Sequence, residues 1–192
     1  DGGETYLVIA DHNMQDAQKL AEKLKCKKET SLIPLIMMLP KNTNLDHAEY
    51  FRICGDEQVV EPFEVKSLLD IAESELARSS EEATIFEQEV VFQFPTDDQN
   101  IEKANELGAT LFESSGLSDE GQVALAAAFR EGIGNGAQHG NRHRRDKHIE
   151  IRYLLDAEKI TVSIEDQGNG FDWRQFIERD GDKSAAYFYA TN

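Results

Sequence analysis

EGIGNGAQHGN, residues 131–141, carries four glycines in eleven residues. Glycine at this density ordinarily marks a loop, often one that cradles phosphate. The residues before it argue for something else. LSDEGQVALAAAFR, 117–130, is an alanine-rich run with helical periodicity, and no stop signal separates it from the glycines. Ser118 is a suitable N-cap, and Asp119 and Glu120 suit the positive end of a helix. Continued as a helix, the stretch aligns Glu131, Asn135 and His139 in one i, i+4 row and Gly132, Gly136 and Gly140 in the adjacent row. Each interior glycine costs about 0.5–1 kcal/mol against alanine, which the alanine-rich run helps to offset. What a strip without side chains permits is close approach, by another backbone or by a bulky ligand lying on the helix. A phosphate loop of the GxxxxGK[ST] kind is excluded, because no Lys-Ser or Lys-Thr follows the glycines. The stretch reads as a helix frayed toward Gly140.

The polar row has chemistry in it. An amide oxygen such as that of Asn135 is a hard ligand able to hold Mg²⁺, which keeps several waters and commonly bridges to substrate phosphates. A carboxylate one turn earlier, Glu131, can accept a proton from an attacking hydroxyl or orient it. A second signal is IEDQGNGFDW, 164–173. There a strand ends in Asp166, and Gly168 and Gly170 follow at alternate positions. Asp at a strand end can accept a hydrogen bond from an exocyclic amine, and glycines beyond it let backbone approach a planar base. Either signal alone is also what an ordinary polar helix face or a turn looks like.

Composition narrows the classes. The 192 residues fit one or two domains, and 40% apolar content suffices for a core. A net charge of −17 repels nucleic acid and anionic membrane, so neither is expected as a partner. The basic run Arg142, Arg144, Arg145, Lys147 reads as a solvated loop, or as a contact for an acidic partner or phosphate. Cys26 and Cys54 have no paired or metal-type spacing, sit in segments that read as helical, and are expected as buried free thiols. His139, His143 and His148 lack the Cys or carboxylate at ligand spacing that a metal cluster would need. No run approaches the roughly 18 apolar residues of a membrane span, and no signal peptide opens the chain, so a cytoplasmic location is expected.

Two parts are expected, divided at the polar run ARSSEEAT, 77–84. Residues 1–80 alternate strand and helix: strand TYLVIAD, helix QDAQKLAEKLKCK with Ala17, Leu20, Ala21 and Leu24 on one face, strand LIPLIMML, helix LDHAEYFRICG ended by Gly55, strand EQVVEPF stopped at Pro62, and helix EVKSLLDIAESELARS. That order implies a parallel sheet with helices on its faces. Residues 85–192 open with strand EQEVVFQF. Helix IEKANELGATLFESSG follows, with Ile101, Ala104, Leu107, Leu111 and Phe112 inward, then the helix that runs into the glycines. KHIEIRYLLDAEKITVSIED reads as two strands around a DAEK turn.

In this order and spacing the two signals resemble the motifs of the GHKL, or Bergerat-fold, ATPases, and residues 85–173 are most similar to the anti-sigma-factor serine kinase branch. That branch has a first box like E-x-x-x-N-A-x-x-H-G, met here by Glu131, Asn135, His139 and Gly140, and a second like D-x-G-x-G-F-D, met by Asp166, Gly168, Gly170, Phe171 and Asp172. The resemblance implies a Bergerat-type α/β sandwich that binds ATP with Mg²⁺. Asn135 would ligate the metal, Glu131 would act as base or polarise the acceptor hydroxyl, Asp166 would bind the adenine amine, Gly168 and Gly170 would shape the adenine pocket, and His139 would support the site. The implied reaction is transfer of the ATP γ-phosphate to Ser or Thr of a small antagonist protein of STAS-like type, in a system that also binds a sigma factor or similar target. The family has a further glycine-rich box after a lid; GDKSAAYFYATN, 181–192, has no G-x-G, so the chain is expected to lack it. Residues 1–80 resemble the latter part of a response-regulator receiver, with Asp11 in the phosphoacceptor position and Pro62 at the cis-proline corner. Leu39 stands where that family has Ser or Thr, and Glu61 where it has Lys. A phosphate on Asp11 would meet no positive group there, so this part is expected to be a degenerate, pseudo-receiver docking or homodimer surface. Two alternatives stay open: a non-catalytic module whose partner affinity nucleotide switches, and a sensor-histidine-kinase-like domain acting in trans, since His47 lies in the receiver-like part and no phosphoacceptor-histidine helix is evident.

Overall fold

The computed structural model describes residues 6–44 and 48–170. Its first sheet is three-stranded and wholly parallel, in the order β1 (Val8–Asp11), β2 (Leu35–Leu39), β4 (Glu57–Val60). The central strand β2 reads LIMML because it is buried on both faces; Leu35, Ile36, Met37 and Leu39 are all buried. Helix α1 (Ala17–Lys25) buries the expected face, with Ala17, Ala21 and Leu24 inside and Leu20 packed against them. Parallel pairing brings the ends of β1 and β2 and the turn after β4 to one edge: Asp11 is beside Met38, and Glu61 N donates to Leu39 O at 2.9 Å. The Glu61–Pro62 peptide is cis.

The second sheet is antiparallel, in the order β3 (Arg52–Ile53), β5 (Phe86–Pro95), β6 (His148–Asp156), β7 (Ile160–Asp166). Register puts Val90, Phe92 and Phe94 of β5 opposite Tyr153, Ile151 and Ile149 of β6, all fully buried on one face. Helices α3 (Asp98–Glu113) and α4 (Asp119–Asn135) contribute Ala104, Leu111, Phe112, Phe129 and Ile133 to the same core. Phe112 meets Phe129 edge-on at 5.4 Å. Both helices start on side-chain caps: Asp97 accepts from Asn100 N, and Ser118 from Gly121 N. The fold is therefore mixed α/β, with one parallel and one antiparallel sheet among the described residues.

One expected helix is absent. Over its described residues, 48–55, LDHAEYFRICG holds no helix: it bends at Glu49 and Tyr50, and Arg52–Ile53 forms β3 against β5, with Arg52 opposite Gln93. The reason is tertiary. Phe51 stacks on Phe92 and Phe94 at 5.6 and 5.7 Å, and the Arg52 guanidinium donates through Nε and Nη2 to Gln93 Oε1. These contacts outweigh a local helical preference of a few tenths of a kcal/mol per residue, roughly speaking. Cys54 thus follows a strand rather than lying in a helix, while Cys26 caps α1. Burial pushes the Cys54 thiol up to about 12 and the Cys26 thiol up to about 11.

The polar run 77–84 is helical to Glu82, because α2 (Val65–Glu82) continues through it. Arg78 explains the continuation. Its guanidinium reaches Glu75 and Glu82 on its own helix at 2.6 Å each, Asp56 before β4 at 3.1 Å and Glu89 on β5 at 3.7 Å. Asp56 also pairs with the buried Lys25 at 2.5 Å, and Glu89 with Arg152 at 3.0 Å. Charges removed from water at this junction are each met by an opposite partner, the condition for tolerating them.

Candidate functional site

Helix α4 does not fray where the glycines begin. It runs to Asn135 and continues as a π turn, Gly136–Gly140, closed by the Asn141 N–H donating to Gly136 O at 2.7 Å. The bare strip is filled by β7. A β-carbon added to Gly132 would meet Ile164 Cδ1 at 2.6 Å, and one added to Gly136 would meet Asp166 Cβ at 3.5 Å. At Gly140 it would lie 2.1 Å from Asp166 Cγ, in the volume the carboxyl group already occupies. Gly168 closes from the other side, since its β-carbon would sit 2.7 Å from both Cα and O of Gly140. The close approach expected of the strip is therefore made by the neighbouring strand and the loop after it. That approach brings the second motif against the first.

The functional groups stay outward. Glu131, Asn135 and His139 are solvent-exposed, and among the described residues none of their side chains makes a hydrogen bond. Asp166 is exposed at the end of β7, and its Oδ1 accepts from Gly168 N at 2.7 Å. Gly170 has a φ of 68°, a left-handed conformation that suits glycine. Phe171 and Asp172, the close of the second box, lie outside the described residues, as do His47 and residues 181–192.

Asn141 and Gln167, which carry no signal in the sequence, hold the loop together with Lys147. Asn141 is fully buried at the end of the π turn. Its amide donates to His148 O at 2.8 Å, and its Oδ1 accepts from Gln167 N at 2.8 Å. Gln167 Oε1 in turn accepts from His148 N at 2.9 Å, and Lys147 Nζ donates to Gln167 O. The segment between Asp166 and Gly168 is thus tied to the start of β6 and to the end of α4. Lys147 thus departs from the solvated reading of the basic run, whereas Arg142, Arg144 and Arg145 are exposed, with Arg144 paired to Asp146. The pairing holds the Asp146 carboxyl below its ordinary range.

Among the described residues no group of three or more His, Cys, Asp or Glu is placed to hold a metal ion. Magnesium held by one amide oxygen, phosphates and water needs no such cluster. The donors present fit that arrangement: an exposed amide at Asn135, a carboxylate one turn earlier, and a carboxylate flanked by glycine backbone at Asp166. In the first sheet, Asp11 is exposed at the end of β1 and accepts from Asn13 N at 2.8 Å, while Leu39, one residue beyond its register partner Met38, is buried.

A family model described as a histidine kinase-like ATPase domain matches residues 94–184, just under half of the chain and inclusive of both boxes. No curated protein and no solved structure matches. Among the described residues no helix is long and apolar enough to cross a membrane. The match supports a GHKL-type ATP-binding region with a signalling role.

Proposed function

We propose that this chain is a cytoplasmic serine/threonine protein kinase of the partner-switching, anti-sigma-factor type, with residues 85–192 as its ATPase domain and residues 1–80 as a pseudo-receiver that regulates it. The observation that carries the reading is the glycine-permitted contact of the Asp166 carboxyl group with Gly140, which sets the second motif against the helix that bears Glu131 and Asn135. In this reading Asn135 would hold Mg²⁺, which neutralises phosphate charge when bound. Asp166 accepts from the adenine amine through the carboxylate oxygen that Gly168 does not occupy. Gly168 and Gly170 keep the wall of the base pocket flat. Glu131 takes the proton of the acceptor hydroxyl as that oxygen bonds the γ-phosphorus and ADP leaves. His139 shapes the end of the site without taking part in transfer. The protein substrate is a small STAS-like antagonist, and a sigma factor or similar target is the second partner.

The test is transfer of label from γ-labelled ATP, with Mg²⁺, to a purified binding partner. Glu131→Ala is expected to abolish transfer while leaving nucleotide binding intact. Should nucleotide alter partner affinity with no label ever transferred, the chain is a non-catalytic switch module; label on a partner histidine would make it a histidine-kinase-like domain acting in trans.

A further inference from the structure

One transverse row crosses all four strands of the second sheet. Register places Arg52 of β3 opposite Gln93 of β5, Gln93 opposite Glu150 of β6, and Glu150 opposite Glu165 of β7. Residues opposite one another share a face, so the four side chains stand in line on the side of the sheet away from the Phe92, Phe94 and Ile149 core. Hydrogen bonds join the first three. The Arg52 guanidinium donates to Gln93 Oε1 at 2.9 and 2.5 Å, which turns the amide nitrogen of Gln93 toward Glu150 Oε2, 2.5 Å away. Arg52 and Gln93 are buried, and among the described residues Arg52 makes no direct ion pair. Its charge is met instead through the amide, by Glu150. Arg152, the next base along this face of β6, is engaged with Glu89 at 3.0 Å. Glu165 is exposed and directly opposite Glu150, a like-charge pair that opposes the closing of β7 on β6. The residue after Glu165 is Asp166, paired in register with Ile149.

We infer that Arg52 is a positioning residue for Asp166, acting from the first part of the chain through Gln93 and Glu150. The guanidinium polarises the Gln93 amide, and the amide in turn holds the Glu150 carboxylate and offsets its charge. With that charge offset, Glu165 can lie across from Glu150 and the end of β7 stays in register. There the Asp166 carboxyl group is seated against Gly140 on the other side of the sheet. Residues 1–80 thus support the site through a strand they lend to its sheet, as well as through the chain that joins the two parts. The consequence for nucleotide affinity rests on the ATP-binding reading; the consequence for the order of β7 does not.

Two readouts on the full chain test this: hydrogen–deuterium exchange over residues 160–168 without nucleotide, and titration of a fluorescent ATP analogue with Mg²⁺. Arg52→Ala is expected to speed exchange across 160–168 and to weaken analogue binding about fivefold. Adding Glu165→Gln, at an exposed position, removes the opposed charge and should return both readouts toward wild type. Glu165→Gln alone should neither speed exchange nor weaken binding. Should Arg52→Ala fail to fold, Arg52→Lys, which keeps the charge but not the paired donors, carries the same comparison with and without Glu165→Gln. Faster exchange confined to β3 and β5 would reduce Arg52 to an ordinary strand contact and overturn the inference. So would a double variant no better than the Arg52 change alone. A wild-type chain that binds no analogue would remove the ATP-binding reading and leave the exchange result to decide between positioning and plain strand contact.

Discussion

Gly140 offers the sharpest perturbation, because its neighbour Gly134 provides an internal control. Both lie in the same glycine-rich stretch, but a β-carbon at Gly134 has nothing within 4 Å, whereas one at Gly140 lands 2.1, 2.2 and 2.3 Å from Cγ, Oδ1 and Oδ2 of Asp166. To reach ordinary van der Waals separation the carboxyl group must retreat by about 1 Å or more. It has little freedom to do so, since Gly168 N holds Oδ1 at 2.7 Å and Gly168 lies so near Gly140 that a β-carbon on it would come within 2.7 Å of Gly140 Cα. Overpacking of this kind costs about 1–3 kcal/mol. Gly134→Ala meets no obstacle and should stabilise by about 0.4–1 kcal/mol, raising Tm by roughly 1–4 °C in a chain of this size. Gly140→Ala should fall on the other side of wild type in thermal unfolding. Because the displaced group is the proposed adenine acceptor, a loss of about 1–3 kcal/mol at that contact weakens ATP-analogue binding by roughly 5- to 150-fold. Gly134→Ala should leave binding unchanged. Equal behaviour of the two alanine variants in both assays would refute the argument that the glycine strip exists to seat Asp166.

Further outcomes follow from other parts of the structure. Asn141→Ala removes one buried and one partly buried hydrogen bond and should lower stability in denaturant titrations by about 2–4 kcal/mol, with nucleotide affinity falling as the Gln167–Gly168 segment loosens. Burial, then the neighbouring Glu82 carboxylate, raises the pKa of Glu89 above its ordinary 4.5, with Arg152 and Arg78 opposing. For a raised group the stabilising contribution is present below the unfolded pKa and is lost as pH rises through the folded one. The stability of the wild type relative to Glu89→Gln should therefore decline as pH rises past 4.5 and then level off, which urea titrations across that range would read. With thiols pushed up to about 11 and about 12 by burial, Cys26 and Cys54 should react slowly with a disulfide reagent at pH 8 and rapidly once the chain is unfolded.

The elements legible in the sequence are those whose signal is local. Helix α4 announced itself through alanine content, a serine cap and an acidic first turn, and its rows of polar residues and glycines follow from i, i+4 geometry alone. Strand β2 is legible from its apolar run LIPLIMML, and β5 from the alternation in EQEVVFQF. What stayed hidden depends on partners far along the chain. Arg52 becomes strand because Gln93 is opposite it, and no periodicity within residues 45–55 encodes that pairing. Likewise Asn141, Gln167 and Lys147 are ordinary polar residues until the closing of β6 and β7 brings them together. The π turn was invisible for a subtler reason, since the same glycines serve an α-helical strip and a widened turn equally well. Helix α2 reads into the polar run at which the two parts are expected to divide because Arg78 supplies, from within that run, the charge that pairs with Asp56 before β4 and with Glu89 on β5.

The central claim is that the Asn135 amide and the Asp166 carboxylate, brought to one site by a strip of glycines, bind Mg²⁺-ATP. Titration of a fluorescent ATP analogue, with and without Mg²⁺, into the wild-type chain, Asn135→Ala and Asp166→Asn tests it most directly. The account predicts saturable, Mg²⁺-dependent binding that Asn135→Ala renders insensitive to the metal and Asp166→Asn weakens at least tenfold, about 1.4 kcal/mol. Binding that neither substitution alters would contradict it.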